Sequence, residues 1–291
     1  MAVLLVTLAT LASACTSSAS IPGTGPDRVT SAPPARLTSS ERSLAQAASS
    51  AYRTTVGSDA TALVADLDRL QGAVGSNDIT TARTDELSAQ ADYDGIRSVL
   101  EAADPVIAST LDEEPTAVAP GQSLAGLHAV ERDLWSSPPG DASADMSGVV
   151  AQAPVAGYLL ARDVLAPEAI GTTAVDELGW VDDVAIPGHE EAFSHLDTVD
   201  VAATIDAAQA AYGAIQPLAR RIAPALSRSV EQSFATLAAQ VASLGPPDQR
   251  PDGSIPELTL RSLSQTVNAT ASMLAALSAR LVPFGTSGTS S

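Results

Sequence analysis

Between residues 41 and 284 the apolar side chains recur at helical intervals, and this spacing limits the chain to helical architectures. Leu63, Leu67, Leu70 and Val74 step by four, three and four, as residues on one face of a helix must at 3.6 residues per turn. Leu226, Val230, Phe234, Leu237, Val241 and Leu244 repeat the pattern. Leu260, Leu263, Val267, Leu274, Leu277 and Leu281 extend it, with Thr270 filling the one gap through its methyl group. No stretch sustains the period-two alternation of a half-buried strand. Breaks fall at Gly75-Ser76-Asn77-Asp78, Pro138-Pro139-Gly140, Pro187-Gly188 and Gly245-Pro246-Pro247. Ser40 and Asp78 read as N-caps, and Pro154 and Pro217 as kinks. About eight amphipathic segments joined by short turns predict an all-α fold of antiparallel bundles.

An internal comparison suggests that the bundle is built twice. Tyr93, Ile96, Val99, Pro105 and Ile107 match Tyr212, Ile215, Leu218, Pro224 and Leu226 at one constant offset. Two antiparallel four-helix bundles, duplicated, are expected over residues 41–165 and 166–284, with a cleft at their junction.

The ends of the chain read differently. Residues 1–14 carry no charge and run apolar from Ala2 to Leu11 before Ala12-Ser13-Ala14. As a helix this segment spans roughly 21 Å, short of a bilayer core of about 30 Å, so it reads as a signal peptide. Cys15 follows at the position where a bacterial lipobox places its acylated cysteine, although Ala12 stands where leucine is usual and no basic residue precedes the apolar run. Residues 15–40 are rich in Ser, Thr, Pro, Gly and Ala and read as a flexible tether behind a lipidated Cys15. Residues 285–291 read as a disordered tail.

Charge and composition narrow the function. There are 34 acidic side chains against 15 basic ones, all arginine, for a net charge of -19. Phosphate binding needs a positive surface, so nucleic acid is excluded as a partner, whereas cations are favoured. A single cysteine excludes a disulfide scaffold and thiolate clusters. Aromatic residues make up only 3%, too few for a platform that stacks bases or sugars. No glycine-rich phosphate loop, nucleophile elbow or Cys-His pair is present.

All three histidines have acidic neighbours, and His128 is the most informative. On a helix at about 100° per residue, His128 and Glu131 share the arc of Leu124, Leu127, Leu134 and Trp135, while Asp133 points away. A carboxylate on a buried face needs a partner, and a metal held jointly with His128 is a simple one; a histidine hydrogen-bonded to Glu131 is the other. The second cluster, His189, Glu190, Glu191 and His195, is not a zinc-protease helix, because its histidines are six apart rather than four. One of Glu190, Glu191 or His195 could reach the cleft; otherwise the two glutamates are first-turn acids of a helix.

Gly126-Leu127-His128-Ala129-Val130-Glu131 resembles the Gly-x-His-x-x-Glu signature of the imelysin-like family. Gly188-His189-Glu190-Glu191-Ala192-Phe193-Ser194-His195-Leu196-Asp197 is similar to that family's Gly-Glu-Glu-Glu-Arg-Tyr-Ser-His-Thr-Asp stretch, and Ala207 to Leu226 is similar to its second-bundle helices. The resemblance covers roughly residues 41–284, and within the family it points to the EfeO/EfeM type, in the short form without a cupredoxin domain. It implies a pair of helical bundles and an extracytoplasmic, lipid-anchored protein in the periplasm or on the outer face of the cell membrane. It further implies a cargo of iron (Fe2+/Fe3+), hand-over to an EfeU-type iron permease, and a haem peroxidase partner of the EfeB type. The implied ligands are His128 and Glu131 on the signature, with Asp94 and with Asp112, Glu113 being one step away; from the second cluster Glu190 is the candidate, with Glu191 beside it. The family's Tyr-Glu-x-x-Glu helix aligns with Tyr93-Asp94-Gly95-Ile96-Arg97, which keeps the first acid as Asp94 and replaces the second by Arg97. Imidazole with carboxylates suits iron, and zinc or manganese as well. The alternatives are a metal-dependent peptidase of the imelysin type and a cell-surface scaffold with a vestigial metal site.

Overall fold

The computed structural model describes residues 37–246 and 254–284. The expected signal peptide, Cys15, most of the tether and the tail from 285 onwards lie outside the described residues.

Ten α-helices occur among the described residues, with no strand beyond one isolated bridge between Asp112 and Gly126. They are α1 (Ser39–Gly75), α2 (Ile79–Asp94), α3 (Arg97–Ala103), α4 (Pro105–Leu111), α5 (Leu127–Trp135), α6 (Ser143–Arg162), α7 (Pro167–Trp180), α8 (Thr198–Ile222), α9 (Pro224–Leu244) and α10 (Glu257–Leu281). A π-helical turn, Val181–Ala185, prolongs α7.

Local chemistry sets the helix boundaries. Thr38 caps α1: its hydroxyl accepts from the Glu41 N–H, and the Glu41 carboxylate accepts from the Thr38 N–H, a reciprocal capping box. Ser40, the cap expected from sequence, therefore lies inside the first turn. Asp78 caps α2 by accepting from the Thr81 N–H at 3.2 Å. Asp104 ends α3 and caps α4 at once, accepting from Val106 and Ile107, while Pro105 occupies the first helical position where no N–H is needed. The breaks at Gly95-Ile96 and Asp104 separate α2, α3 and α4. Pro154 and Pro217 end nothing, since α6 and α8 run through them.

The apolar stripes pack into one continuous core that runs from Ala45 to Phe284. Helix α1 lies against α2, α6 and α8 and buries Leu63, Leu67 and Leu70. Helices α7 and α9 both pack against α8 and α10. Contacts of α1 with α7 and of α2 with α8 join the earlier helices to the later ones. Some features recur 119 residues apart. Pro105 opens α4 as Pro224 opens α9, and the Tyr93 hydroxyl donates to the Ala108 carbonyl as the Tyr212 hydroxyl donates to that of Ser227. The region around Tyr93 lies where α2, α4, α5 and the segment before α8 approach one another, and the core there is polar.

Candidate metal centre

A single glycine brings α4 and α5 together. Gly126 adopts a positive φ of 78°, a left-handed conformation that other residues occupy at a cost. A Cβ there would stand 2.6 Å from the Leu111 carbonyl oxygen and 2.8 Å from the Asp112 Cα. The close approach sets Asp112, the C-cap of α4, beside the first turn of α5, where His128 is the second residue. His128 Nδ1 lies 2.5 Å from Asp112 Oδ1, in ion-pair contact. Its Nε2 is 2.9 Å from the Glu190 carbonyl oxygen and 3.7 Å from Glu190 Oε2. Gln90 of α2 ties the two acids together, donating from Nε2 to Asp112 Oδ2 at 2.9 Å and to Glu190 Oε1 at 3.0 Å. One ligand atom from each of Asp112, His128 and Glu190 lies within 4.8 Å of the others, and this buried triad could hold a metal ion.

Glu190 arrives on a loop, residues 186–197, rather than on a helix. Two carboxylates hold that loop by its backbone. Asp197 Oδ1 accepts from the N–H groups of Glu190 and Glu191 at 2.9 and 3.2 Å. Glu131 Oε1 accepts from those of Phe193 and Ser194 at 2.9 and 2.6 Å. The Ser194 hydroxyl in turn donates to Glu191. Fixed in this way, the loop turns Glu190 and Glu191 inward, whereas His189 and His195 are exposed, the latter at a φ of 60°. Reading the two glutamates as first-turn acids is thus corrected, because no helix begins until Thr198.

The structure brings Asp112, His128 and Glu190 together and keeps Asp94 and Glu131 just outside the triad. Glu131 is buried, and its carboxyl group shares a hydrogen bond with that of Glu191. Asp94 is fully buried, with Oδ1 3.8 Å from the Arg97 guanidinium. Arg97 also donates to Glu177 Oε2 at 2.7 Å and stacks 3.9 Å over the Trp180 ring. Glu113 accepts from the Ala125 N–H instead of joining the triad. Sequence reading missed Glu86, Gln90, Glu177, Asp197 and Asp200. A signal existed for the first two: Glu86, Gln90 and Asp94 are four residues apart on α2, a polar stripe on the face that also buries Ala82 and Tyr93.

The electrostatics are those of a site short of positive charge. Ten carboxylates and only two bases, Arg97 and His128, are buried among the described residues. Burial disfavours a charged His128, but the charge and contact of Asp112, and then Glu190 and Glu131, hold its pKa well above the ordinary value. Burial would raise Asp112 too, yet the neighbouring His128 and the Gln90 hydrogen bond keep it below the usual carboxylate range. Desolvation pushes Glu86, Asp94, Glu190, Glu191 and Asp200 well above their ordinary values; neighbouring acids are the next largest cause for Glu86, Glu191 and Asp200, whereas Arg97 opposes the rise at Asp94 and His128 opposes it at Glu190. A cation entering the triad would replace protons on these groups and take up His128 as a neutral ligand.

A helical fold that buries a mixed imidazole and carboxylate triad defines a protein with a candidate metal centre between its helices. The sequence model of the family described as Peptidase_M75: Imelysin matches residues 48–281, and the chain belongs to the imelysin family. No curated protein shows significant sequence similarity to it.

Proposed function

We propose that the chain is an extracytoplasmic, lipid-anchored iron-binding protein of the EfeO/EfeM type that delivers its metal to a membrane permease. The observation that carries this reading is the triad of Asp112, His128 and Glu190, buried amid carboxylates that lack counter-charges. One imidazole and two carboxylates suit Fe, Mn or Zn, and the absence of sulfur donors from the triad disfavours Cu(I). A net charge of -19 would raise the local cation concentration. In this reading Cys15 carries the lipid, residues 16–36 let the domain search the membrane surface, an EfeU-type permease receives the iron, and an EfeB-type haem peroxidase acts alongside. The features that recur at 119 residues support a duplicated pair of bundles.

The test is calorimetric titration of metal-free protein with ferrous iron, ferric iron, zinc and copper. His128→Ala is expected to abolish high-affinity iron binding while helicity by circular dichroism is retained. Unchanged affinity in that variant would overturn the proposal.

A metal-dependent peptidase is the second reading, favoured by the family's description and by a triad that supplies the three protein ligands a catalytic zinc uses. Against it, His128 is 2% exposed and Glu190 0%, whereas hydrolysis needs an open coordination position and access for the peptide. Casein cleavage that a chelator abolishes and zinc restores would rank this reading first.

A further inference from the structure

We propose that Gln90 sets how many oxygens the centre offers to an ion: it holds one oxygen of each ligand carboxylate, keeps Asp112 and Glu190 monodentate, and so selects a small ion that needs few donors against calcium. The inference rests on the triad being a metal site and adds the class of ion that the site admits. Each acid is shared between α2 and the imidazole. Gln90 Nε2 donates to Asp112 Oδ2 at 2.9 Å and to Glu190 Oε1 at 3.0 Å. The other oxygens lie by the ring, Asp112 Oδ1 2.5 Å from Nδ1 of His128 and Glu190 Oε2 3.7 Å from Nε2. A primary amide carries two N–H groups on one nitrogen, so Gln90 has a proton for each acid and none to spare. Asp112 Oδ1 and Glu190 Oε2 are then the carboxylate oxygens left to face an ion beside the imidazole.

Burial holds this arrangement in place. Gln90 is 1% exposed and Glu190 0%, so turning either carboxylate to grip an ion through both oxygens would strand a buried N–H, which is costly. Gln90 sits on α2 between Glu86 and Asp94, four residues to either side, and of these three side chains the amide alone is a donor when the acids are ionised. It joins acids that stand 22 and 100 residues away in the chain, so one helix position fixes the orientation of both ligands. Calcium takes about six to eight oxygens and uses bidentate carboxylates to reach that number. Zinc needs about four donors and takes imidazole readily. A centre limited to one atom from each of Asp112, His128 and Glu190 therefore suits zinc or ferrous iron and leaves calcium short of ligands.

The experiment titrates the metal-free chain with Zn2+ and with Ca2+ by calorimetry, for wild type and for Gln90→Met, a side chain of similar length without a donor. Zinc affinity should fall by roughly ten- to a hundredfold, as when a partner of a metal ligand is lost. Calcium affinity should hold or rise, so that the zinc-to-calcium ratio drops by at least about tenfold. Zinc-edge X-ray absorption should show more oxygen neighbours in the variant than in wild type. Gln90→Asn, which keeps the amide but is a methylene too short to span both acids, should shift the ratio in the same direction by less. It carries the test if circular dichroism shows that Gln90→Met does not fold. An unchanged ratio, with both affinities falling together, would make Gln90 a packing residue and overturn the proposal while leaving the metal site intact. Absence of zinc binding by the wild-type protein would overturn the proposal and the metal site together.

Discussion

His128 is the residue on which the centre turns, and its protonation couples metal binding to stability. A carboxyl group whose pKa is higher in the folded than in the unfolded chain binds more protons when folded, so stability falls as pH rises above its unfolded value. Glu86, Glu190 and Glu191, with an ordinary value of 4.5, and Asp94 and Asp200, at 3.8, are all raised well above it. The raised His128 acts in the same direction, since its contribution is lost as pH climbs through its folded pKa. Asp112, which is lowered, works the other way and contributes less as pH falls through its folded value. Metal-free protein is therefore expected to lose stability from about pH 4.5 upwards, and saturating zinc to remove the part of that slope that belongs to Glu190 and His128. Melting temperature followed by circular dichroism across pH, with and without zinc, checks this; a slope of opposite sign in the metal-free protein would refute it. Glu131 offers a second residue-scale test. Its Oε1 accepts two backbone N–H groups, a task that an amide oxygen can also perform. Glu131→Gln should keep zinc affinity near wild type, whereas Glu131→Ala, which frees the loop, should lose it. Equal loss in both variants would make Glu131 a direct ligand. Arg97→Ala would leave Glu177 and Asp94 buried without their base and should cost about 3–5 kcal/mol in denaturant unfolding.

At the scale of elements, the site depends on two connections that are not helical. The first is the Gly126 turn. Gly126→Ala introduces both a left-handed alanine and a clash with the backbone at Leu111 and Asp112. It should cost roughly 1–3 kcal/mol and weaken zinc binding, because Asp112 must move away from His128. Gly121 provides the control. Its φ is 88°, but a Cβ there meets nothing within 4 Å, so Gly121→Ala should leave metal affinity unchanged. Similar affinity losses in the two variants would show that the close approach at Gly126 is irrelevant. The second connection is the loop before α8, whose geometry comes from carboxylates gripping its backbone rather than from its own helical propensity.

At the scale of the whole molecule, α1 packs against helices from both parts of the chain, and α2 against α8. A shared core of this kind should unfold as a unit. Calorimetry is expected to show one cooperative transition for the metal-free protein, with equal calorimetric and van't Hoff enthalpies. Two resolved transitions would indicate that the earlier and later helices hold separate cores. Metal at the centre draws on α4, α5 and the loop before α8, so zinc should raise the temperature of that single transition as a whole.

The sequence by itself determined what depends on neighbours along the chain. Apolar spacing dictated helices, glycine and proline clusters marked most of the turns, Asp78 showed where α2 begins, and the wheel of α5 put His128 and Glu131 on its buried face. The divisions at Gly95-Ile96 and Asp104 were less visible, because their residues continue the apolar rhythm on either side. Only the tertiary structure decided which acids meet the imidazole. Asp112 lies 16 residues from His128 and Glu190 lies 62 away, and nothing in helical periodicity distinguishes Glu190 from Glu191 or Asp112 from Glu113. That choice rests on the Gly126 approach and on backbone N–H groups held by Glu131 and Asp197. Periodicity fixes which face a side chain occupies, but convergence of charges on a point is set by packing between segments far apart in the chain.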